Sequence, residues 1–139
     1  MRDEIDFVEA HDARISLIAL SPDGRCTIAF SHVAVYYPTA RKPGEDEGFE
    51  IWSHPARLVL DGASSVYCKG LLRDDRVMDG EIFDAEGSKL RWKVLRERCP
   101  VEKLELHLAT GTEVVIHCKA AKLSLGEHAE YLERWSGPL

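Results

Sequence analysis

The chain has 139 residues, of which 45% are hydrophobic, and its formal net charge at pH 7 is −6. This length fits one domain, and the hydrophobic content is enough for a packed core, which argues against an intrinsically disordered chain. The excess of acidic residues repels a phosphate backbone, so we predict no nucleic-acid partner. We therefore treat residues 1–139 as a single domain.

The sequence also bears on where the protein works. Met1-Arg2-Asp3-Glu4 has no apolar segment of the kind found in signal peptides, and no run approaches the ~18 apolar residues of a membrane span. The four cysteines are irregularly spaced and form no C-x-x-C pair: Cys26, Cys68, Cys99 and Cys118. We expect a cytoplasmic protein with free thiols and without a membrane partner.

Turn signals divide the chain into short segments that are rich in Val, Ile, Leu and aromatic residues. They are Pro22-Asp23-Gly24, Pro43-Gly44, Asp61-Gly62, Ala85-Glu86-Gly87 and Thr110-Gly111. This punctuation predicts an all-β, mainly antiparallel domain, a sandwich or barrel of about ten short strands built from hairpins. The predicted strands lie near residues 5–9, 13–20, 25–37, 48–53, 56–60, 65–72, 77–84, 88–96, 102–109, 112–119 and 121–125.

In chain order, the first hairpin turns at Ser21-Pro22-Asp23-Gly24. Proline sets φ for the turn, and glycine tolerates a positive φ. Pairing across this turn brings Ile18 to Ile28 and Leu20 to Cys26. A loop is predicted next, from Arg41 to Glu47.

The second hairpin runs from Val77 to Leu95 around Ala85-Glu86-Gly87. A three-residue loop with a left-handed glycine fixes its register. The predicted pairs are Asp84–Ser88, Ile82–Leu90, Glu81–Arg91, Gly80–Trp92, Asp79–Lys93 and Met78–Val94.

The last hairpin turns at Gly111 and pairs Leu106 with Val114 and Leu104 with Ile116. After it, Ala129, Leu132 and Trp135 recur at a spacing of three, and Gly137-Pro138 follows as a stop. This pattern predicts a short C-terminal helix that covers an open end of the β structure. The alternation of Tyr131, Glu133 and Trp135 leaves a strand as the alternative.

Reactive motifs are missing from the sequence. The six histidines form no H-E-x-x-H pattern or zinc spacing, and neither a G-x-S-x-G elbow nor a phosphate-binding loop occurs. We predict no cofactor, no metal and no catalytic residues. His32 and Cys118 are weak metal candidates, because they would approach each other if residues 13–35 and 102–121 were duplicated halves.

Recognition is the chemistry that the residues favour. Tyr37 leaves its strand beside a proline, and Trp52 and His54 form an aromatic, polar corner. Arg91 lies in the basic stripe of the 88–96 segment. Aromatic residues and arginine dominate binding hot spots, so we predict that Tyr37, Trp52, His54 and Arg91 contact a ligand.

The leading hypothesis is a small cytoplasmic protein-binding or ligand-binding domain without catalysis, whose partner is another protein or a second copy of itself. One alternative is an enzyme or small-ligand carrier with a histidine-lined cavity inside a β barrel. Another is an acidic neutraliser, of the immunity-protein or inhibitor kind, that binds a basic partner through residues 1–12 and 45–50.

Overall fold

The computed structural model describes residues 5–39, 48–70 and 75–136, and antiparallel β-strands make up most of this length. The strands are β1 (Phe7–Leu20), β2 (Cys26–Pro38), β3 (Gly48–Asp61), β4 (Ser65–Lys69), β5 (Asp75–Phe83), β6 (Lys89–Leu90), β7 (Cys99–Pro100), β8 (Lys103–Leu108), β9 (Glu113–His117), β10 (Ala120–Leu125) and β11 (Glu130–Ser136). A short 3-10 helix, Trp92–Arg96, lies between β6 and β7. The predicted all-β, antiparallel class is confirmed.

Two long strands replace pairs of predicted short ones. The segments 5–9 and 13–20 form the single strand β1, and 48–53 and 56–60 form β3. The β1–β2 ladder is irregular between Glu9 and Arg14, where Asp12 has φ of 67°. A bulge of this kind bends a strand without ending it, which explains how β1 continues through the break.

The strands form one sheet in the order β4-β9-β8-β5-β1-β2-β3-β10-β7, with β6 on β5 and β11 on β3. β7 leads into β8 and β9 leads into β10, so one bent hairpin connects the β10–β7 end of this order to the β8–β9 pair near its other end. Val101 N–H donates to the Lys119 carbonyl (3.1 Å) across its bend, and Cys118 N–H donates to that of Glu102 (3.1 Å). The fold is a single curled sheet, and the regular strand order of the described residues does not close into a ring.

Two predicted hairpin registers are confirmed. In the β1–β2 ladder Ile18 faces Ile28 and Leu20 faces Cys26. In the β8–β9 ladder Leu106 faces Val114 and Leu104 faces Ile116.

The hairpin after β5 keeps its predicted register only as far as Leu90. Asp84 N–H donates to the Ser88 carbonyl (3.0 Å), and Ile82 faces Leu90. Beyond that point residues 92–96 form the 3-10 helix, so the strand predicted over 88–96 is wrong. The cross-strand pairs Met78–Val94, Asp79–Lys93 and Glu81–Arg91 are wrong with it.

The helix forms because it buries two side chains at once. Trp92 and Leu95, three residues apart, both reach the core. Trp92 still covers Gly80 as predicted, and its Nε1–H donates to the Gly80 carbonyl (3.0 Å). The helix keeps the contact between Trp92 and Gly80 and also buries Leu95. In a strand, Trp92 and Leu95 would point to opposite faces of the sheet.

The predicted C-terminal helix is wrong, and the strand alternative is correct. β11 pairs with β3 from Glu130↔Ser53 to Ser136↔Gly48, with a bulge between Tyr131 and Glu133. β10 covers only Ala56–Asp61 of the same strand, so the edge of the first half of β3 needs another partner for its backbone groups. The predicted loop from Arg41 to Glu47 and the Gly137-Pro138 stop lie outside the described residues.

One hydrophobic core fills the inside of the curled sheet. Its largest fully buried side chains are Ile15, Ile28, Leu58, Leu60, Ile82, Leu95, Leu104, Leu106, Ile116, Leu123, Val33 and Val35. In the described part of the chain we find no helix of the length and apolar character that crossing a bilayer requires.

Candidate functional site

Two predicted site residues, Tyr37 and His54, meet inside the protein. The Tyr37 hydroxyl lies 2.7 Å from Nε2 of His54, and Nδ1 of the same ring lies 3.0 Å from the Gly126 carbonyl oxygen. Because a carbonyl only accepts, Nδ1 carries the proton and Tyr37 donates to Nε2. Both side chains are buried, so this network ties β2 and β3 to the segment that follows β10.

Trp52 lies on β3 beside the β11 edge. Its ring packs edge-on against Tyr131, with centroids 5.5 Å apart, and Tyr131 is itself exposed. The indole Nε1 is buried and has no hydrogen-bond partner among the described residues. The structure does not bring Trp52 together with Arg91.

Arg91 is the predicted site residue that opens onto a cleft. Lys89, two residues earlier, forms a salt bridge with Glu81, with Nζ 3.1 Å from Oε1. The exposed Arg91 guanidinium consequently has no ion pair or hydrogen bond with any described residue. It lines a cleft of about 570 Å³ together with Asp6, Phe7, Glu9 and Tyr36.

The aromatic wall of this cleft comes from the pairing of β1 with β2. Phe7 faces Tyr36 in the ladder, and the two rings meet edge-to-face with centroids 5.4 Å apart. Phe49 of β3 supports Tyr36 from the other side at 6.5 Å. The Tyr36 hydroxyl donates to Glu9 Oε2 (2.9 Å), which fixes both side chains at the cleft wall.

The surroundings of Tyr36 hold its phenol in the protonated form. Desolvation, the hydrogen bond to Glu9 and the negative charges of Glu9 and Glu133 raise the pKa of Tyr36 to about 12. The shift extends the range in which the phenol is protonated into alkaline pH, and the protonated hydroxyl donates to Glu9. The cleft offers two carboxylates and one guanidinium beside aromatic rings, which suits a ligand group of mixed charge.

The weak metal candidates, His32 and Cys118, lie beside different parts of β3. His32 lies next to Val33, which faces His54, whereas Cys118 adjoins Lys119, whose N–H bonds to Asp61. Seven strand residues between those levels correspond to roughly 23 Å. No cluster of three or more His, Cys, Asp or Glu side chains suited to a metal ion occurs within residues 5–39, 48–70 and 75–136.

Cys118 is also in a poor state for metal binding. Its thiol is buried and donates to the Val101 carbonyl (3.5 Å). Burial, followed by the charge of Glu102, raises the pKa of Cys118 to about 11. Since the thiolate is the form that ligates metals, this cysteine stays a neutral core side chain at physiological pH.

Sequence reasoning did not place Asp6, Phe7, Glu9 and Tyr36 in one site with Arg91. The first three belong to residues 1–12, which we assigned only to the acidic-neutraliser alternative. The usable signal was the alternation along β1, where Val8 and Ala10 are buried. Phe7 and Glu9 therefore share the outer face of the strand.

Comparisons with protein-family models, with curated protein sequences and with solved structures found no match to this chain.

Proposed function

We propose that the protein is a small cytoplasmic binding domain without catalysis, and that a partner protein places a segment of mixed charge in the Arg91 cleft. One observation carries the proposal: an unpaired guanidinium shares a cleft with two carboxylates and two aromatic rings. Arginine and tyrosine are enriched among residues that dominate binding energy.

The charges in the cleft indicate the chemistry of the ligand. Arg91 lines the same cleft as Asp6 and Glu9 but forms no salt bridge with either. A ligand with one acidic and one basic group would pair with both kinds of charge in the cleft. Its acidic group would bind Arg91, and its basic group would bind the carboxylates. The faces of Phe7 and Tyr36 would add a cation–π contact to the basic group.

The state of the thiols supports the cytoplasmic setting. All four cysteines are free. Burial raises the pKa of the buried Cys26 and Cys118 and of the partly buried Cys99, which lowers the reactivity of these thiols towards oxidants.

The other functions stay predictions. His54 uses both ring nitrogens inside the chain, which leaves it none for a substrate. The acidic-neutraliser hypothesis uses residues 1–12 to bind a basic partner. Within this segment, Asp12 already lies 3.5 Å from Arg76 and 3.5 Å from His11 of the same chain. In the second segment that this hypothesis uses, 45–50, residues 45–47 lie outside the described residues.

The proposal is tested by NMR titration with two blocked peptides, acetyl-Lys-Gly-Glu-amide and acetyl-Gln-Gly-Gln-amide. We expect weak, millimolar binding of the charged peptide, with amide shifts at residues 6–9, 36 and 91, and no such response to the neutral peptide. Arg91→Gln should remove the response. Arg98→Gln should preserve it, because Arg98 pairs with Asp61 away from the cleft (3.2 Å). Equal responses to both peptides, or an unaffected Arg91→Gln variant, would contradict the proposal.

A further inference from the structure

We propose that β4 is a homodimer edge, on which a second copy of the chain pairs its own β4 antiparallel across a twofold axis at Tyr67. This surface is separate from the Arg91 cleft. Tyr36 at the cleft faces Ile51 near the start of β3, whereas β4 follows the end of β3.

The outer edge of β4 is open to another strand in the part of the chain that the structure describes. All five of its residues, Ser65–Lys69, are exposed. The strand pairs with β9 from Ser65↔His117 to Lys69↔Glu113, and no described strand pairs with its other edge. An edge of this kind offers a row of backbone donors and acceptors to any strand that fits.

β11 pairs only with β3 among the described strands, so its other edge is open as well. β11 carries a bulge between Tyr131 and Glu133, and it presents Glu130, Glu133 and Arg134. Bulges and charges are what natural edge strands use to prevent pairing. β4 is a regular ladder with one charged residue, Lys69, at its end, and it exposes Val66 and Tyr67.

The residues of β4 fit a second copy of the same strand. Antiparallel pairing about Tyr67 places Tyr67 against its symmetry mate, Val66 against Cys68 and Ser65 against Lys69. Cross-strand aromatic pairs are favourable, and this register puts no like charges opposite each other. In-register parallel pairing would instead place Lys69 beside Lys69. The self-complementary arrangement is what a twofold, isologous interface requires.

The short length of β4 limits the strength of the dimer. Five residues a side make an interface smaller than the standard size of stable complexes. The dimer should therefore be weak and dependent on protein concentration, with dissociation in the micromolar range or above.

The test is sedimentation equilibrium of the full chain over a range of concentrations. The wild type should shift from monomer towards dimer. Tyr67→Lys places two ammonium groups across the axis and should weaken association by about tenfold or more. The matched control is Tyr131→Lys on β11, because Tyr67 and Tyr131 are each 53% exposed. This control should associate like the wild type.

A crosslinking experiment tests the register without the lysine substitution. In a Cys68→Ser background, Tyr67→Cys places two cysteines directly opposite each other, within the Cα distance that a disulfide accepts. Mild oxidation should link the two chains. Ser65→Cys in the same background should not crosslink, since the two copies are offset by about 13 Å along the strands.

Association of the wild type and Tyr131→Lys but not of Tyr67→Lys, together with crosslinking at position 67 only, would support the dimer. A wild type that stays monomeric throughout would overturn it, and the open edge would then be one for a different partner. Equal association of all three proteins, or preferential crosslinking at position 65, would also overturn it.

Discussion

Tyr36 combines a structural and an electrostatic role at the wall of the cleft. Its ring lies between Phe7 and Phe49, and its hydroxyl donates to Glu9. Burial and the neighbouring carboxylates raise its pKa from an ordinary value of 10.0 to about 12. In the unfolded chain this shift is lost, so the phenol ionises there at lower pH than in the folded protein.

This shift predicts an alkaline loss of stability. The contribution of Tyr36 is fully present below about pH 10 and is lost as the pH rises through about 12, because only the unfolded state then releases the proton. The tyrosinate absorbance of the folded wild type should show a late step near pH 12. Tyr36→Phe should lack this step and should lose less stability between those two pH values in urea unfolding. A late step that persists in Tyr36→Phe would contradict the assignment.

Gly80 is a residue whose missing side chain makes room for a neighbour. A β-carbon there would lie 3.1 Å from the Ala10 β-carbon, 3.1 Å from Trp92 Cζ2 and 3.2 Å from Leu106 Cδ2. Gly80→Ala should lower the free energy of unfolding by about 1–3 kcal/mol, as overpacking in a tight core does. Denaturant unfolding measures this change. Ser88→Ala, at an exposed position in the same hairpin, should stay within about 0.5 kcal/mol of the wild type.

At the scale of elements, hairpins with a specific turn were predictable and segments with two periodicities were not. Proline, aspartate and glycine at Pro22–Gly24 fixed the β1–β2 register through local backbone preferences. The 92–96 segment alternates like a strand but also places Trp92 and Leu95 three residues apart. Only the position of Gly80 and the core beneath decides between the two patterns.

The C-terminal segment shows the same ambiguity with a different cause. Ala129, Leu132 and Trp135 have helical spacing, yet the segment is β11. The segment becomes a strand because it pairs with the part of the β3 edge that β10 leaves open. The local sequence does not indicate that this edge is available. Tertiary pairing overrides intrinsic propensity in such cases.

At the scale of the whole molecule, the site was predictable only in part. Arg91 was predicted to contact a ligand and does line the cleft, but its expected cross-strand partner, Glu81, pairs with Lys89. The rest of the cleft comes from β1 and β2, which are distant from Arg91 in sequence. Periodicity indicates which face a side chain occupies, and it does not indicate which distant strand that face meets.

The bent hairpin that connects β7 and β10 to β8 and β9 has a kinetic consequence. β10 pairs with β3 across a long stretch of chain, whereas β1 and β2 pair across a short turn. Such non-local pairing slows folding, so we expect refolding on a scale of milliseconds to seconds.

Two buried side chains that flank Leu58 separate early from late events. Leu58 faces Ile28 on one side and Leu123 on the other. Each of the variants Ile28→Ala and Leu123→Ala should cost about 2–5 kcal/mol of stability. Stopped-flow measurements should show slower folding for Ile28→Ala and mainly faster unfolding for Leu123→Ala. In that case the last step of folding is the docking of the bent hairpin, residues 99–125. The lifetime of the native state then depends on how rarely this hairpin detaches from β3.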